Sequence, residues 1–296
     1  MKRMHLILAA AMTAMSVFSC QKNGSDMTIV PTGDGVIRFT VDAPDVDLQT
    51  KATVVTTSTI EANGFNCSAV TGSAGSFASA WNNVSFSKGS TYYEGGKFWP
   101  ASDPSYKFFA SNATLTHSVY GCTVAATNAT DVVCAYLASP TYETPNALSF
   151  YHVFARIGNF TVTAVDGYTI TNVHATITPN TGGTYNIATG NGQTNGTGWS
   201  SLTSGSATEL ANTTPGTKAN DLYLVPGTYS ISFSWTASKD DYTANLSKTV
   251  TGVSIVGGKV NAISAGLTGD ASAIQFTVSV AEWGAGTVAI GTVEPD

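Results

Sequence analysis

Apolar and polar residues alternate with a period of two along much of this chain. Ile37, Phe39 and Val41 are separated by Arg38 and Thr40, and Val173, Ala175 and Ile177 by His174 and Thr176. Tyr229, Ile231, Phe233 and Trp235 alternate with Ser230, Ser232, Ser234 and Thr236. Ile274, Phe276, Val278 and Val280 alternate with Gln275, Thr277 and Ser279. Successive side chains of a strand point to opposite faces, so each run reads as a strand with one face packed and one face wet. No long stretch keeps an apolar period of about 3.6 residues between helix caps. Asp166-Gly167, Val225-Pro226-Gly227-Thr228 and Val256-Gly257-Gly258-Lys259 punctuate the runs as turns. Short strands at this spacing predict an all-β protein made of sandwiches.

The alternation stops at Ser139-Pro140-Thr141-Tyr142-Glu143-Thr144-Pro145, where two prolines interrupt the ladder of strand hydrogen bonds. The break predicts an N-terminal β-sandwich domain over 35–144 and a C-terminal one over 145–296. Residues 180–220 are rich in Gly, Ser, Thr and Asn and are expected to form a long surface excursion. Upstream of both domains, residues 20–34 are polar and read as a flexible tether. Before the tether, Lys2 and Arg3 precede the apolar stretch Leu6 to Val17, which has the length of a secretory signal and is too short for a membrane span. The stretch ends in Val17-Phe18-Ser19-Cys20, which resembles the lipobox of bacterial lipoproteins. That resemblance implies a signal peptide over 1–19 and a lipidated Cys20, with palmitate among its acyl chains, holding the exported chain to a membrane. An ordinary signal peptide that happens to end at a cysteine is the other reading.

Only 11% of the residues are charged, against about 25% in typical domains. With 13 basic and 19 acidic residues the formal charge is −6, and no basic patch with interleaved aromatics exists to hold nucleic acid. Apart from Cys20, the cysteines are Cys67, Cys122 and Cys134. Cys122 and Cys134 flank the turn-like Thr127-Asn128-Ala129-Thr130, and a hairpin centred on residue 128 would set them opposite each other. They are then either a cross-strand disulfide, in an oxidising compartment, or two buried reduced thiols. No cysteine spacing suits a metal. His117, His152 and His174 form neither an i,i+4 pair nor an H-E-x-x-H motif, and no G-x-S-x-G elbow is present. Asp103, Asp131, Asp166, Asp221, Asp240 and Asp241 mostly occupy turn positions, where bonds to nearby backbone account for them. Neither catalysis nor a cofactor or metal is expected.

Phe98-Trp99-Pro100 is followed by the strand Tyr106-Lys107-Phe108-Phe109-Ala110-Ser111, then by Leu148-Ser149-Phe150-Tyr151-His152-Val153-Phe154-Ala155-Arg156-Ile157. Leu224-Val225-Pro226-Gly227-Thr228-Tyr229 comes next, and Gly258-Lys259-Val260-Asn261 with Ile274 to Trp283 closes the series. In this order the segments resemble the fimbrillin family, the subunits of Bacteroidales type V pili. The resemblance implies two tandem transthyretin-like β-sandwich domains, with His152 in a structural role. It also implies an outer membrane lipoprotein precursor whose first strand is removed by a trypsin-like protease. The mature form would join an extracellular fimbrium by donor-strand exchange and serve adhesion. Its partners would be other pilus subunits, the membrane before processing, and a host or bacterial surface ligand.

On the same resemblance, Val36, Ile37, Arg38, Phe39, Thr40 and Val41 form the removable strand. Cleavage falls between Lys51 and Ala52, where many relatives carry arginine; otherwise Lys51 is a solvated loop residue. After the hinge Gly284-Ala285-Gly286, Thr287, Val288, Ala289 and Ile290 form the donor strand, or else a last strand paired within its own domain. An alternative function is a surface lipoprotein that binds glycans, with Trp81, Tyr92, Tyr93 and Trp199 as stacking platforms for sugar rings.

Overall fold

Strands fill the computed structural model, which describes residues 34–42, 55–163, 167–211, 222–268, 273–282 and 287–293. The elements before the proline-marked break are β1 (Val36–Asp42), α1 (Thr57–Asn63), β2 (Phe65–Thr71), β3 (Ala78–Lys88), β4 (Tyr93–Phe98), β5 (Lys107–Ser111), β6 (Leu115–Ser118), β7 (Gly121–Thr127) and β8 (Val133–Leu137). Immediately after it come β9 (Asn146–Ser149), β10 (Tyr151–His152), β11 (Ala155–Thr163), β12 (Thr169–Ile177), β13 (Asn180–Asn186), α2 (Ile187–Gly190), β14 (Trp199–Ser204) and β15 (Thr208–Ala211). The remainder are β16 (Leu222–Leu224), β17 (Gly227–Lys239), β18 (Tyr242–Ile255), β19 (Lys259–Thr268), β20 (Ala273–Glu282) and β21 (Thr287–Val293). Among the described residues no helix is long and apolar enough to cross a membrane.

The first sheet has eight strands in the order β10-β8-β5-β2-β3-β4-β1-β9. It surrounds a core built from Ile37 and Phe39 of β1, Phe65 of β2, Phe86 of β3, Tyr93 of β4, Phe108 of β5 and Leu148 of β9. The predicted break leaves β9 and β10 on its far side, yet both pair in this sheet: β9 runs parallel to β1, and β10 antiparallel to β8. The alternating runs pack as their period demands. Tyr229, Ile231, Phe233 and Trp235 of β17 are buried with Val173, Ala175 and Ile177 of β12, while Ser230, Ser232 and Ser234 face water. They pack, in the sheet β15-β12-β17-β18, against Ala155 and Ile157 of β11 and Ile263 and Ala265 of β19, in the sheet β16-β11-β19-β20-β21.

Residues 180–220 depart from the expected surface excursion. They form β13, α2, β14 and β15, with 212–221 outside the described residues. β13 pairs with β7 from Gly182↔Thr127 to Asn186↔Thr123, producing the sheet β14-β13-β7-β6. The glycines serve close approach here, because a Cβ on Gly182 would lie 2.2 Å from the Ala126 carbonyl oxygen, and one on Gly183 2.6 Å from that of Ser200. A third core seals this sheet, taking Val70, Phe109, Val124 and Cys134 from one half of the chain and Phe154, Tyr185, Ile187 and Tyr223 from the other.

Candidate functional site

β1 is the element around which a site can be built. It lies inside the sheet, with backbone pairing on both sides: antiparallel to β4 (Arg38↔Glu94, Phe39↔Tyr93) and parallel to β9 (Phe39↔Asn146 to Asp42↔Ser149). Its alternation sends Ile37 and Phe39 inward, both with no exposure, and Val41 packs against the same core. The Phe39 ring meets those of Phe108 at 5.0 Å, Phe86 at 5.2 Å and Phe65 at 6.2 Å, all edge to face. Burying each such apolar side chain is worth about 2 kcal/mol. Outward from the sheet, Arg38 is gripped by two carboxylates. Its Nε donates to Glu94 Oε1 at 2.5 Å, and its terminal nitrogens donate to the two oxygens of Asp34 at 2.8 and 2.7 Å.

Taking β1 out of this sheet would bare a slot floored by Phe65, Phe86 and Phe108 and walled by the unpaired edges of β4 and β9. An extended strand could fill both the apolar floor and the backbone edges. The chain beyond β1 is pinned independently at Val55, whose N–H donates to Asp131 Oδ2 at 2.8 Å. The other oxygen of Asp131 meets His152 Nδ1 at 2.9 Å, and both side chains are buried. Arg156, also buried, lies nearby; burial lowers its pKa, while Tyr223 and the Asp131 carboxylate act in the opposite direction. Asp131 is thus no simple turn residue. His152 and Arg156 within the apolar run 148–157 were the sequence signal that a buried counter-charge must exist.

Other expected residues fall as follows. Cys20, Lys51 and Ala52, with the signal peptide and most of the tether, lie outside the described residues. Thr287, Val288, Ala289 and Ile290 belong to β21, which pairs antiparallel with β20 and, among the described residues, has a neighbour on that side alone. The hairpin centred on residue 128 does not form: β7 pairs with β6 and β13, and β8 with β5 and β10. Cys122 and Cys134 therefore sit in different sheets, and both are buried free thiols, as is Cys67. Desolvation pushes the Cys122 thiol up to about 11 and that of Cys134 to about 12.

The proposed sugar platforms are mostly packed. Trp81 stacks on Phe86, Tyr93 is buried against Phe65, and Trp199 lies on Phe154 and Tyr185 while its Nε1 donates to the Val153 carbonyl. Tyr92 alone of the four makes no such ring contact and is half-buried. Among the described residues the exposed aromatics are Phe98, Tyr120 and Tyr242, none of which was expected as a sugar platform. A cleft of about 210 Å³ beside α1, lined by Thr59, Asn63, Asn66 and Ser85 over Ile60 and Phe65, is below the roughly 300 Å³ of small-molecule sites. Among the described residues no group of three or more His, Cys, Asp or Glu could hold a metal ion.

A family model described as fimbrillin-like matches residues 38–283. Among solved structures, the chain is similar to a fimbrial protein from Bacteroides vulgatus, at 16% identity and a TM-score of 0.53, over 83% of this chain and 99% of that one. It is also similar to a fimbrial assembly protein from Parabacteroides distasonis, at 12% identity and a TM-score of 0.43, over 86% of this chain and 99% of that one. No protein of curated function matches it.

Proposed function

Since the chain belongs to the fimbrillin-like family, we propose that it is a subunit of a cell-surface fimbrium that serves adhesion, assembled through the slot that β1 occupies. The observation that carries this reading is the position of β1, a strand at the start of the chain that nevertheless lies inside a sheet, paired on both sides with its phenylalanine at the centre of an aromatic core. Release of such a strand leaves an acceptor that demands an extended apolar replacement. In this reading Cys20 carries the lipid of an outer membrane precursor, and a trypsin-like cut after Lys51 frees lipid and β1 together. The anchor of Val55 on Asp131 favours this order, because it keeps the remaining chain in register just past the cut. The donor is β21. It holds its own sheet by one edge and carries Val288 and Ile290 in alternation, so it can leave without opening the sheet from within.

The test is an unboiled denaturing gel of the purified full chain before and after brief trypsin treatment. Heat-sensitive multimers are expected after trypsin and not before. Removal of residues 284–296 should abolish them while the strand signal in circular dichroism stays. A clean cut that leaves only monomer would overturn the shaft-type assembly described here.

A further inference from the structure

β1 is held unequally at its two ends. At its start the backbone N–H of Trp99 donates to the Gly35 carbonyl at 2.6 Å. Asp34 accepts the Val36 N–H at 3.1 Å and both terminal nitrogens of Arg38, and Glu94 on β4 takes the third donor of the same guanidinium. The Arg38 side chain is only 14% exposed, while its partners Asp34 and Glu94 are 46% and 47% exposed, so the charge-assisted fork is ordered yet remains within reach of salt. The far end has no equivalent. Asp42 pairs through its backbone with Ser149 and accepts from the Phe150 N–H at 2.7 Å, and among the described residues no salt bridge holds its carboxylate. The segment Thr287 to Val293 carries no charge at all, so it can match the apolar alternation of β1 but cannot rebuild the ionic contacts.

Resting on the strand-exchange reading above, we propose that Asp34, Arg38 and Glu94 form a release lock on the first strand. A cut downstream of β1 frees the Asp42 end and leaves the Asp34 end pinned. Replacement then begins beside β9, at Val41 and Asp42, and runs towards the lock, which is the last contact to break. Asp34 departs with the strand, while Glu94 stays on β4 and loses its cation. The lock therefore favours the chain's own strand over an incoming one and delays assembly until the exchange is nearly complete. Arg38 acts here as a specificity-determining residue through Glu94 and Asp34.

The experiment compares the full chain with Arg38→Met, Glu94→Gln and Arg38→Lys. Multimers are followed over time on unboiled gels after brief trypsin treatment, at low and at raised salt. The unsubstituted chain should assemble faster as salt screens the lock. Arg38→Met and Glu94→Gln should assemble about tenfold faster at low salt, the size of effect that loss of a charged hydrogen bond gives, and should not respond to salt. Arg38→Lys, which keeps the charge and loses the fork, should fall between. Equal rates in all four chains, or the same salt response in Arg38→Met, overturns the lock. Multimers from none of the chains would sink the exchange reading and the lock with it. A second measurement needs no assembly: in the uncut chain, Arg38→Met should raise hydrogen exchange at residues 36–39 and leave the β2–β5 amides protected. Unchanged exchange at 36–39 would refute the lock even if multimers form.

Discussion

Cys122 and Cys134 illustrate how much a single residue's environment depends on distant partners. Both are fully buried, and desolvation favours the neutral thiol, raising them to about 11 and about 12 from an ordinary value near 8.5. A raised thiol means the folded chain holds its protons while the unfolded chain gives them up, so stability is fully present below about pH 8.5 and falls as pH rises towards 11 and 12. Urea titrations from neutral pH to pH 11 should show a flat midpoint followed by a decline, and Cys122→Ala with Cys134→Ala should lessen that decline without abolishing it, because burial raises the Cys67 thiol as well. A midpoint unchanged up to pH 11 in the unsubstituted chain would contradict it. Local sequence could not place these thiols, because the turn-like Thr127 to Thr130 suggests a hairpin and says nothing of β13, which takes the edge of β7 instead. Asp131 hid for the same reason. Its turn-like setting is local, while its partners at Val55 and His152 are supplied by the fold.

Strands were legible where burial is one-sided. The alternation in β1, β12 and β17 predicts which residues go inside, since a slip of one position would turn the whole apolar set to water. β13 was not legible, because glycine has two uses that look alike in composition: it loosens loops, and it lets backbones approach where no side chain fits. At Gly182 the second use prevails, with the Ala126 carbonyl oxygen 2.2 Å from where a Cβ would stand. Gly182→Val should therefore push β13 off β7 and cost about 2 to 3 kcal/mol, within the range of backbone clashes in packed elements. Hydrogen exchange at Thr123 to Thr127 would report it, with protection lost there first. Retained protection there would mean that the strands stay paired around the added side chain, against the close-approach reading of Gly182.

At the scale of the molecule, the three cores divide the work. The core that contains β1 is distinct from the one that joins the two halves of the chain, so the first strand can leave its slot without touching Phe154, Tyr185 or Tyr223. That division makes a subunit with a replaceable strand physically reasonable, because the slot opens while the seam stays shut. The seam itself is crossed by more than apolar contact. Asn128 donates its N–H to the Thr181 carbonyl, Val153 its N–H to that of Val132 and Asn186 its side-chain amide N–H to that of Tyr120. Halves joined by a shared sheet and a shared core should lose their structure together, as small cooperative units do. Calorimetry of the full chain should accordingly show one transition whose calorimetric and van't Hoff enthalpies agree. Trp199→Ala removes ring contacts at 5.0 Å to Phe154 and 5.3 Å to Tyr185, and should split or broaden that transition more than a comparable loss remote from the seam. Two resolved transitions in the unsubstituted chain would instead make the halves independent.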